Sequence, residues 1–225
     1  FKFSAIVTFI TAAFGQAWSP YAIRVFRDDP GYRHTYSKVL SLWLFLLAIV
    51  ALALSLFAGE LLRLLTPEPY WVSAPTLVLT TVGAAIFGTT QVTALGISLE
   101  KKTGLLTYGA LYSGIVNFFL NLVLIPRLGA VGAATATLIS YLALSLFFLY
   151  WTQRLHPIPL EKGKLLYGTL VLLLALLSVA LIPQDGVWGW GVIGKIIGLF
   201  AVLAGAVSAG IIDRAFLTSF FTSRA

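Results

Sequence analysis

Amide and basic side chains inside long apolar stretches are the residues of this sequence whose types could do chemistry. Asn117 and Asn121 stand four residues apart, a spacing that places both amides on one face of a helix. Gln91 and Lys195 each lie inside another apolar stretch. A buried amide needs a partner, so the Asn pair either bonds to a neighbouring helix or lines a polar cavity. The Lys195 stem either lifts its ammonium to the edge of the apolar layer or draws an anionic group inward.

Residues that carry covalent chemistry or hold metal ions are scarce. The sequence has no cysteine and only two histidines, which excludes disulfides and thiolate metal sites. It shows no glycine-rich nucleotide loop, no zinc-spaced histidine pair and no nucleophile elbow. All eight acidic residues map to predicted loops or helix ends: Asp28, Asp29, Glu60, Glu68, Glu100, Glu161, Asp185 and Asp213. We therefore expect no enzyme activity, no metal site, no cofactor, and no proton or sodium site at membrane depth in this chain.

The elements that must position these side chains are membrane-spanning helices. The chain is 59% hydrophobic and only 10% charged, whereas soluble domains carry about 25% charged residues. A helix needs about 20 apolar residues to cross the hydrocarbon core of a bilayer. Seven windows meet this requirement: 3–23, 39–57, 75–99, 105–125, 130–151, 165–182 and 187–212. The sequence thus predicts an all-α, polytopic transmembrane bundle of about seven spans. Because it opens inside an apolar stretch without a methionine, we expect an N-terminal part to be missing.

Small and polar residues recur at helical spacing on the first window, where they mark either tight helix packing or a water-filled cavity. This face consists of Ser4, Thr8, Thr11, Gly15, Ser19 and Ala22. A similar face on the third window contains Gln91. Pro20, near the end of the first window, is expected to bend that helix.

The basic residues predict which side of the membrane each connection occupies, because lysine and arginine are retained in the cytoplasm. Alternate connections and the tail carry Arg24, Arg27, Arg33, Lys38, Lys101, Lys102, Arg154, Lys162, Lys164, Arg214 and Arg224. The opposite side carries Lys2, Arg63 and Arg127. This pattern predicts a cytoplasmic C-terminus. The bases sit in short gaps beside anionic lipid, so nucleic acid is not expected as a partner. The cluster at Arg24, Arg27 and Arg33 could meet a pyrophosphate, although the positive-inside rule alone also explains it.

The segment 117–141, NFFLNLVLIPRLGAVGAATATLISY, resembles a signature of bacterial polysaccharide and O-antigen flippases. These proteins belong to the multidrug/oligosaccharidyl-lipid/polysaccharide exporter superfamily. In that pattern an Asn-rich helix ends at Ile-Pro, a short turn with glycine follows, and the next helix begins Gly-Ala-Ala-x-Ala-Thr. The matching residues are Asn117, Asn121, Ile125, Pro126, Gly129, Gly132, Ala133, Ala134, Ala136 and Thr137. The opening helix and the basic turn at Glu100 to Thr103 are also similar to that family.

The resemblance implies fourteen spans in two six-helix lobes followed by a terminal pair. Residues 1–152 would then be five transmembrane helices of the C-terminal lobe, whose first span is missing. Residues 153–164 would be a cytoplasmic connection, and residues 165–225 the terminal two-helix pair with a cytoplasmic tail. The implied activity is flipping of a polyprenyl-pyrophosphate-linked oligosaccharide between the leaflets of the bacterial inner membrane. The implied partners are the lipid bilayer, this lipid-linked substrate, the N-terminal half of the same polypeptide and other polysaccharide-assembly membrane proteins.

Six residues are expected to bind such a substrate. Gln91, Asn117 and Asn121 would donate and accept hydrogen bonds in a central cavity. Arg24 and Arg27 would capture the headgroup, and Lys195 would attract its negative charge. Two other activities remain open: cation-coupled multidrug export within the same superfamily, and glycan polymerisation or transfer in the membrane. A purely structural membrane protein is a further alternative.

Overall fold

The computed structural model describes residues 4–181 and 190–211, and every regular element within these two ranges is helical. The elements are α1 (Ser4–Asp28), α2 (Tyr32–Leu56), α3 (Ala58–Leu65), a 3₁₀ turn (Glu68–Ser73), α4 (Ala74–Gly88), α5 (Thr90–Thr93), α6 (Leu95–Leu99), α7 (Gly104–Leu155), α8 (Lys162–Leu181) and α9 (Trp190–Ser208). The predicted all-α bundle is therefore confirmed. Residues 182–189, which include the predicted connection 183–186, and residues 212–225, which include Arg214 and Arg224 of the predicted tail, lie outside the described residues, as does Lys2.

Five helical segments in the described part of the chain are long and apolar enough to cross a membrane. They are Tyr32–Leu56, Glu68–Leu99, Gly104–Leu155, Lys162–Leu181 and Gly191–Ser208. These segments are compatible with a multi-pass membrane protein. The count differs from the predicted seven windows at two places. One is α1, which is less apolar than the rest, and the other is α7, which joins two windows into 52 residues.

Helix α7 is a hairpin of two arms. A straight helix of 52 residues would be about 78 Å long, more than twice the thickness of a hydrocarbon core. Its backbone departs from helical geometry at Gly129, where φ is 55° and ψ is −130°. The Ser113 hydroxyl donates to the Ser140 carbonyl at 2.8 Å, and the Tyr112 and Phe147 rings stack at 5.9 Å. Only a reversal of direction brings residues so distant in sequence together, so residues 104–128 form a first arm and 130–155 a second.

The turn of this hairpin depends on two glycines. The positive φ of Gly129 is a conformation that side chains with a Cβ rarely adopt. A Cβ on Gly132 would lie 2.6 Å from the carbonyl carbon of Leu124, and closer still to its oxygen. Gly132 thus lets the backbones of the two arms touch. These contacts explain why the 117–141 segment has glycine at both positions, directly after Pro126.

Helix α2 is the central helix of the bundle and packs against α8, α4, α1 and α9. It begins at Tyr32, whereas the apolar window predicted a start near residue 39. The reason is aromatic packing: Tyr36 is fully buried, its ring lies 5.6 Å from that of Tyr32, and its hydroxyl donates to the Ala22 carbonyl at 2.7 Å. The windows 3–23 and 39–57 predicted a long polar connection over 24–38, and this prediction is wrong. Only residues 29–31 separate α1 from α2, and there an Asp29 oxygen accepts from the Gly31 N–H at 2.7 Å.

Three connections meet at one end of the bundle. His156 Nδ1 lies 3.2 Å from Glu100 Oε1, and the His156 ring lies 5.3 Å from Tyr32 and 5.9 Å from Phe26. These contacts bring together residues 29–31, 100–103 and 156–161. We call this the basic end, because its helix ends and connections carry Arg24, Arg27, Arg33, Lys38, Lys101, Lys102, Arg154, Lys162 and Lys164. At the other end of α2, α3 approaches the beginning of α9 through Glu60 and Lys195.

Candidate site at the interrupted helix

The span that contains Gln91 changes its hydrogen bonding at Thr89 and at Ala94, the single residues that separate α4, α5 and α6. Both residues keep helical backbone angles, and we use the name interrupted helix for this span with its two tightened turns. At the first interruption the Thr89 N–H bonds to the Ile86 carbonyl at 3.1 Å, and the Val92 N–H bonds to the Thr89 carbonyl at 3.1 Å. Both bonds reach three residues back, which tightens the helix locally. The Thr89 hydroxyl donates to the same Ile86 carbonyl at 2.7 Å, and the Thr90 hydroxyl acts similarly. Threonine side chains thus compete with the backbone for helical carbonyls.

Side chains from neighbouring helices stabilise the carbonyls at these interruptions. The indole Nε1 of Trp43, on α2, donates to the Gly88 carbonyl at 2.9 Å. The hydroxyl of Thr152, on the second arm of α7, donates to the Thr93 carbonyl. The backbone angles stay helical here, and the N–H groups of Thr93 and Ala94 bond four residues back as in an ordinary α-helix. The span therefore continues in one direction through tightened turns, and side chains from two neighbouring helices bond to its carbonyls.

Gln91 lies against α1 at this interruption. A Cβ on Gly15 would be 2.5 Å from Gln91 Oε1, so the amide occupies the space that this glycine leaves. One helical turn earlier on α1, Thr11 is only 3% exposed and lies next to Gly88. Its hydroxyl oxygen has no hydrogen-bond partner among the described residues. The predicted small and polar face of α1 therefore packs at Thr11 and Gly15, whereas Ser19 is exposed.

Asn117 and Asn121 share a face of the first arm, as predicted. The Asn121 Nδ2 donates to Asn117 Oδ1 at 2.8 Å, and both residues are half-buried. The sequence predicted that these amides either bond to a neighbouring helix or line a cavity. The hydrogen bond that the structure shows joins the two side-chain amides within one arm. The Asn121 Oδ1 oxygen is buried and has no hydrogen-bond partner in the described part of the chain, so one acceptor of the pair is unused.

Arg24 and Arg27 lie on the last two turns of α1, at the basic end, and both are exposed. Other cations of this end lie over aromatic rings: Arg33 is 5.8 Å from the Tyr32 ring centre and Arg154 is 5.8 Å from that of Trp151. Exposed guanidinium groups near a membrane surface are free to form bidentate contacts with a phosphate.

Lys195 forms a buried ion pair. Its Nζ lies 2.5 Å from Glu60 Oε1, and the two side chains are only 6% and 9% exposed. The Nζ also lies 5.8 Å from the centre of the Phe57 ring. Two interpretations of Lys195 were open, in which its ammonium rises to the edge of the apolar layer or attracts an anionic group. In the structure the ammonium pairs with a carboxylate of the chain itself, which α3 places beside it. Glu60 lies at a helix end, in the first turn of α3, but the sequence did not predict that its side chain is buried. No local pattern links two residues that are 135 positions apart.

The six predicted residues thus lie at four places: the basic end, the interrupted helix, the first arm of α7 and the opposite end of the bundle. At the interrupted helix, hydroxyls and an amide meet, which suits hydrogen bonding to a neutral polar group. Within residues 4–181 and 190–211, no three histidine, aspartate or glutamate side chains are grouped as metal ligands would be. A scan of the chain against protein-family models and a search of curated proteins find no match.

Proposed function

We propose that this chain belongs to a membrane transporter that flips a polyprenyl-pyrophosphate-linked oligosaccharide from the cytoplasmic to the outer leaflet of a bacterial inner membrane. The observation that carries this proposal is the polar side chain of Gln91, which lies inside an apolar span, pressed against α1 and next to the hydroxyl groups of Thr89 and Thr90. Polar side chains within an apolar span are typical of transport pathways, where a substrate needs hydrogen bonds at membrane depth. Alternating access would expose this region to each side in turn.

The chemistry of the described residues supports this substrate class. Amides and hydroxyls at Gln91, Asn117 and Asn121 match the hydroxyl groups of a sugar. Guanidinium groups at Arg24 and Arg27 match a pyrophosphate at the membrane surface. Transport of this kind needs no bond to be made or broken, so the proposed protein is not an enzyme. Such a substrate would keep its polyprenyl tail in lipid.

The proposed topology has seven spans. Each arm of α7 is long enough to cross a bilayer alone, since 104–128 and 130–155 would each span more than 30 Å by helical rise. Helix α1 has 25 residues and would be the first span. The basic end would face the cytoplasm under the positive-inside rule. The whole transporter would contain fourteen spans, arranged as two six-helix lobes followed by α8 and α9 as the terminal pair.

The proposal is tested in a strain that lacks the full-length gene. Lipid-linked glycan should accumulate on the inner leaflet, where a glycosidase added to intact spheroplasts does not digest it. Complementation with the wild-type gene should restore digestion, whereas Arg24→Gln with Arg27→Gln should restore it poorly. The matched control is Lys101→Gln with Lys102→Gln, which removes the same charge from the basic end and should complement fully. Normal surface glycan in the deletion strain would refute flipping.

Glu60 favours one alternative, cation-coupled drug export, because that mechanism requires a buried carboxylate. The two functions differ in a simple assay. A drug exporter would lower the intracellular concentration of a fluorescent cationic dye, and Glu60→Gln would abolish this effect. A lipid-linked glycan flippase would leave dye retention unchanged.

A further inference from the structure

Helix α9 is only lightly attached to the rest of the bundle. Eleven per cent of the residues in Gly191–Ser208 are buried, compared with 67% in an apolar 18-residue stretch of Tyr32–Leu56. Its main packing partner is α2. Apolar side chains gain little from leaving lipid for a protein interface, so specific contacts decide where such a helix sits.

The contact face of α9 follows a regular spacing of four, three and four residues: Lys195, Leu199, Val202 and Ala206. Leu199 and Val202 pack against the core, and Ala206 is fully buried in a cluster with Phe45. Lys195 is thus the charged residue of a contact face whose other three residues are apolar. Since an apolar side chain at this position could also attach α9 to the bundle, attachment alone does not explain the charge.

A buried ion pair stabilises a contact only while both of its partners are present and charged. Removing two charges from water is costly, and an apolar pair at the same place often stabilises a protein equally well or better. Breaking one partner, however, leaves an uncompensated buried charge, which is strongly unfavourable. Glu60 and Lys195 therefore hold α9 against α3 only while both are charged and paired. Glu60 Oε2, which is buried without a partner in the described residues, adds no second bond to secure the contact.

The second fastening of α9 does not depend on charge. The Tyr167 hydroxyl, on α8, donates to the Val202 carbonyl at 2.6 Å. Gly205 makes this contact possible, since a Cβ there would lie 2.5 Å from the same hydroxyl oxygen. The contact is neutral and lies in the second half of α9.

We propose that α9 is a strap with one permanent and one releasable fastening. The Tyr167–Val202 bond holds its second half on α8, and the Glu60–Lys195 pair holds its first half on α3. When the pair breaks, the first half of α9 swings away from α3 while the second half stays in place. This inference does not depend on the substrate proposed above, because it concerns only how the helix is held.

Distances between spin labels test the strap. These 225 residues contain no cysteine, and any cysteine in the rest of the full-length protein is first replaced by serine, so that only the introduced cysteines are labelled. Labels at Leu64→Cys on α3 and Ile197→Cys on α9 report the releasable end, since both positions are exposed. The full-length protein in lipid nanodiscs should show one short distance. Glu60→Gln or Lys195→Met should raise the ratio of a longer to the short distance by about tenfold or more. The charge-reversed double variant, Glu60→Lys with Lys195→Glu, should return the short distance.

A second label pair reports the permanent fastening. Labels at Leu173→Cys on α8 and Phe200→Cys on α9 should give the same distance in all variants. An unchanged Leu64–Ile197 distance in either folded single variant would overturn the proposal, and so would a charge-reversed variant that stays open. If neither single variant folds, the charge-reversed variant alone decides: the short distance supports the strap, and any other result refutes it.

Discussion

Replacing Gly132 by alanine should separate the two arms of α7. The added Cβ would lie 2.6 Å from the Leu124 carbonyl carbon, whereas ordinary contacts begin at 3.4 Å, so the arms must move apart by about 1 Å. Because the contact is with backbone, no rotation of a side chain can relieve it. A rigid separation of this size would also stretch the 2.8 Å bond between Ser113 and Ser140 beyond hydrogen-bonding distance.

The expected cost combines these two effects. Overpacking against backbone costs about 1 to 3 kcal/mol, and the lost hydrogen bond adds about 0.5 to 1 kcal/mol. These costs sum to about 1.5 to 4 kcal/mol, and the helical preference of alanine over glycine offsets up to about 1 kcal/mol. We therefore expect Gly132→Ala to lower the free energy of unfolding by about 1 to 3 kcal/mol. The measurement is unfolding by sodium dodecyl sulfate in mixed micelles, followed by circular dichroism.

Gly114→Ala is the matched control. Gly114 lies on the first arm of the same hairpin, and no atom lies within 4 Å of the Cβ that it would gain. Alanine favours helix by up to about 1 kcal/mol over glycine, so this variant should be at least as stable as the wild type. Equal stability of the Gly132→Ala and Gly114→Ala proteins would show that the arms do not touch at Gly132.

Two further predictions concern the interrupted helix and the sidedness of the bundle. Thr152→Val removes the hydroxyl that donates to α5 but keeps the shape of the side chain, so it should lower the free energy of unfolding by about 1 kcal/mol. The control is Thr169→Val at an exposed position of α8, which should lower it by less than half as much in the same assay. Single cysteines at Lys102 and Lys162 should resist an impermeant thiol reagent in intact cells, whereas one at Glu68 should react; labelling in the reverse pattern would invert the proposed topology.

Much of the fold follows from hydropathy and turn chemistry. Apolar windows of about 20 residues predict helices wherever water is excluded, which is why α8 and α9 lie within the predicted windows or close to them. The hairpin turn was also visible in the sequence, because Pro126, Arg127 and Gly129 interrupt a largely apolar run. The apolar windows 105–125 and 130–151 therefore correspond to the two arms of α7.

The rest depends on contacts between distant residues. Hydropathy treats Glu60 as a residue of a connection, and only the folded chain shows that α3 turns it towards Lys195. Aromatic packing of Tyr36 lengthened α2 beyond its apolar window, and no window average detects such an effect. Gln91 was identified as a polar residue in an apolar span, but the interruption around it arises from threonine hydroxyls that bond to backbone carbonyls.

Reconstitution tests the proposed transport most directly. Purified full-length protein is placed in liposomes that contain a lipid-linked oligosaccharide in both leaflets, and a glycosidase is added outside. The protein should make the inner-leaflet pool accessible to the enzyme, and Arg24→Gln with Arg27→Gln should slow this process. Digestion that stops at the outer-leaflet fraction, as in protein-free liposomes, would contradict the proposed function.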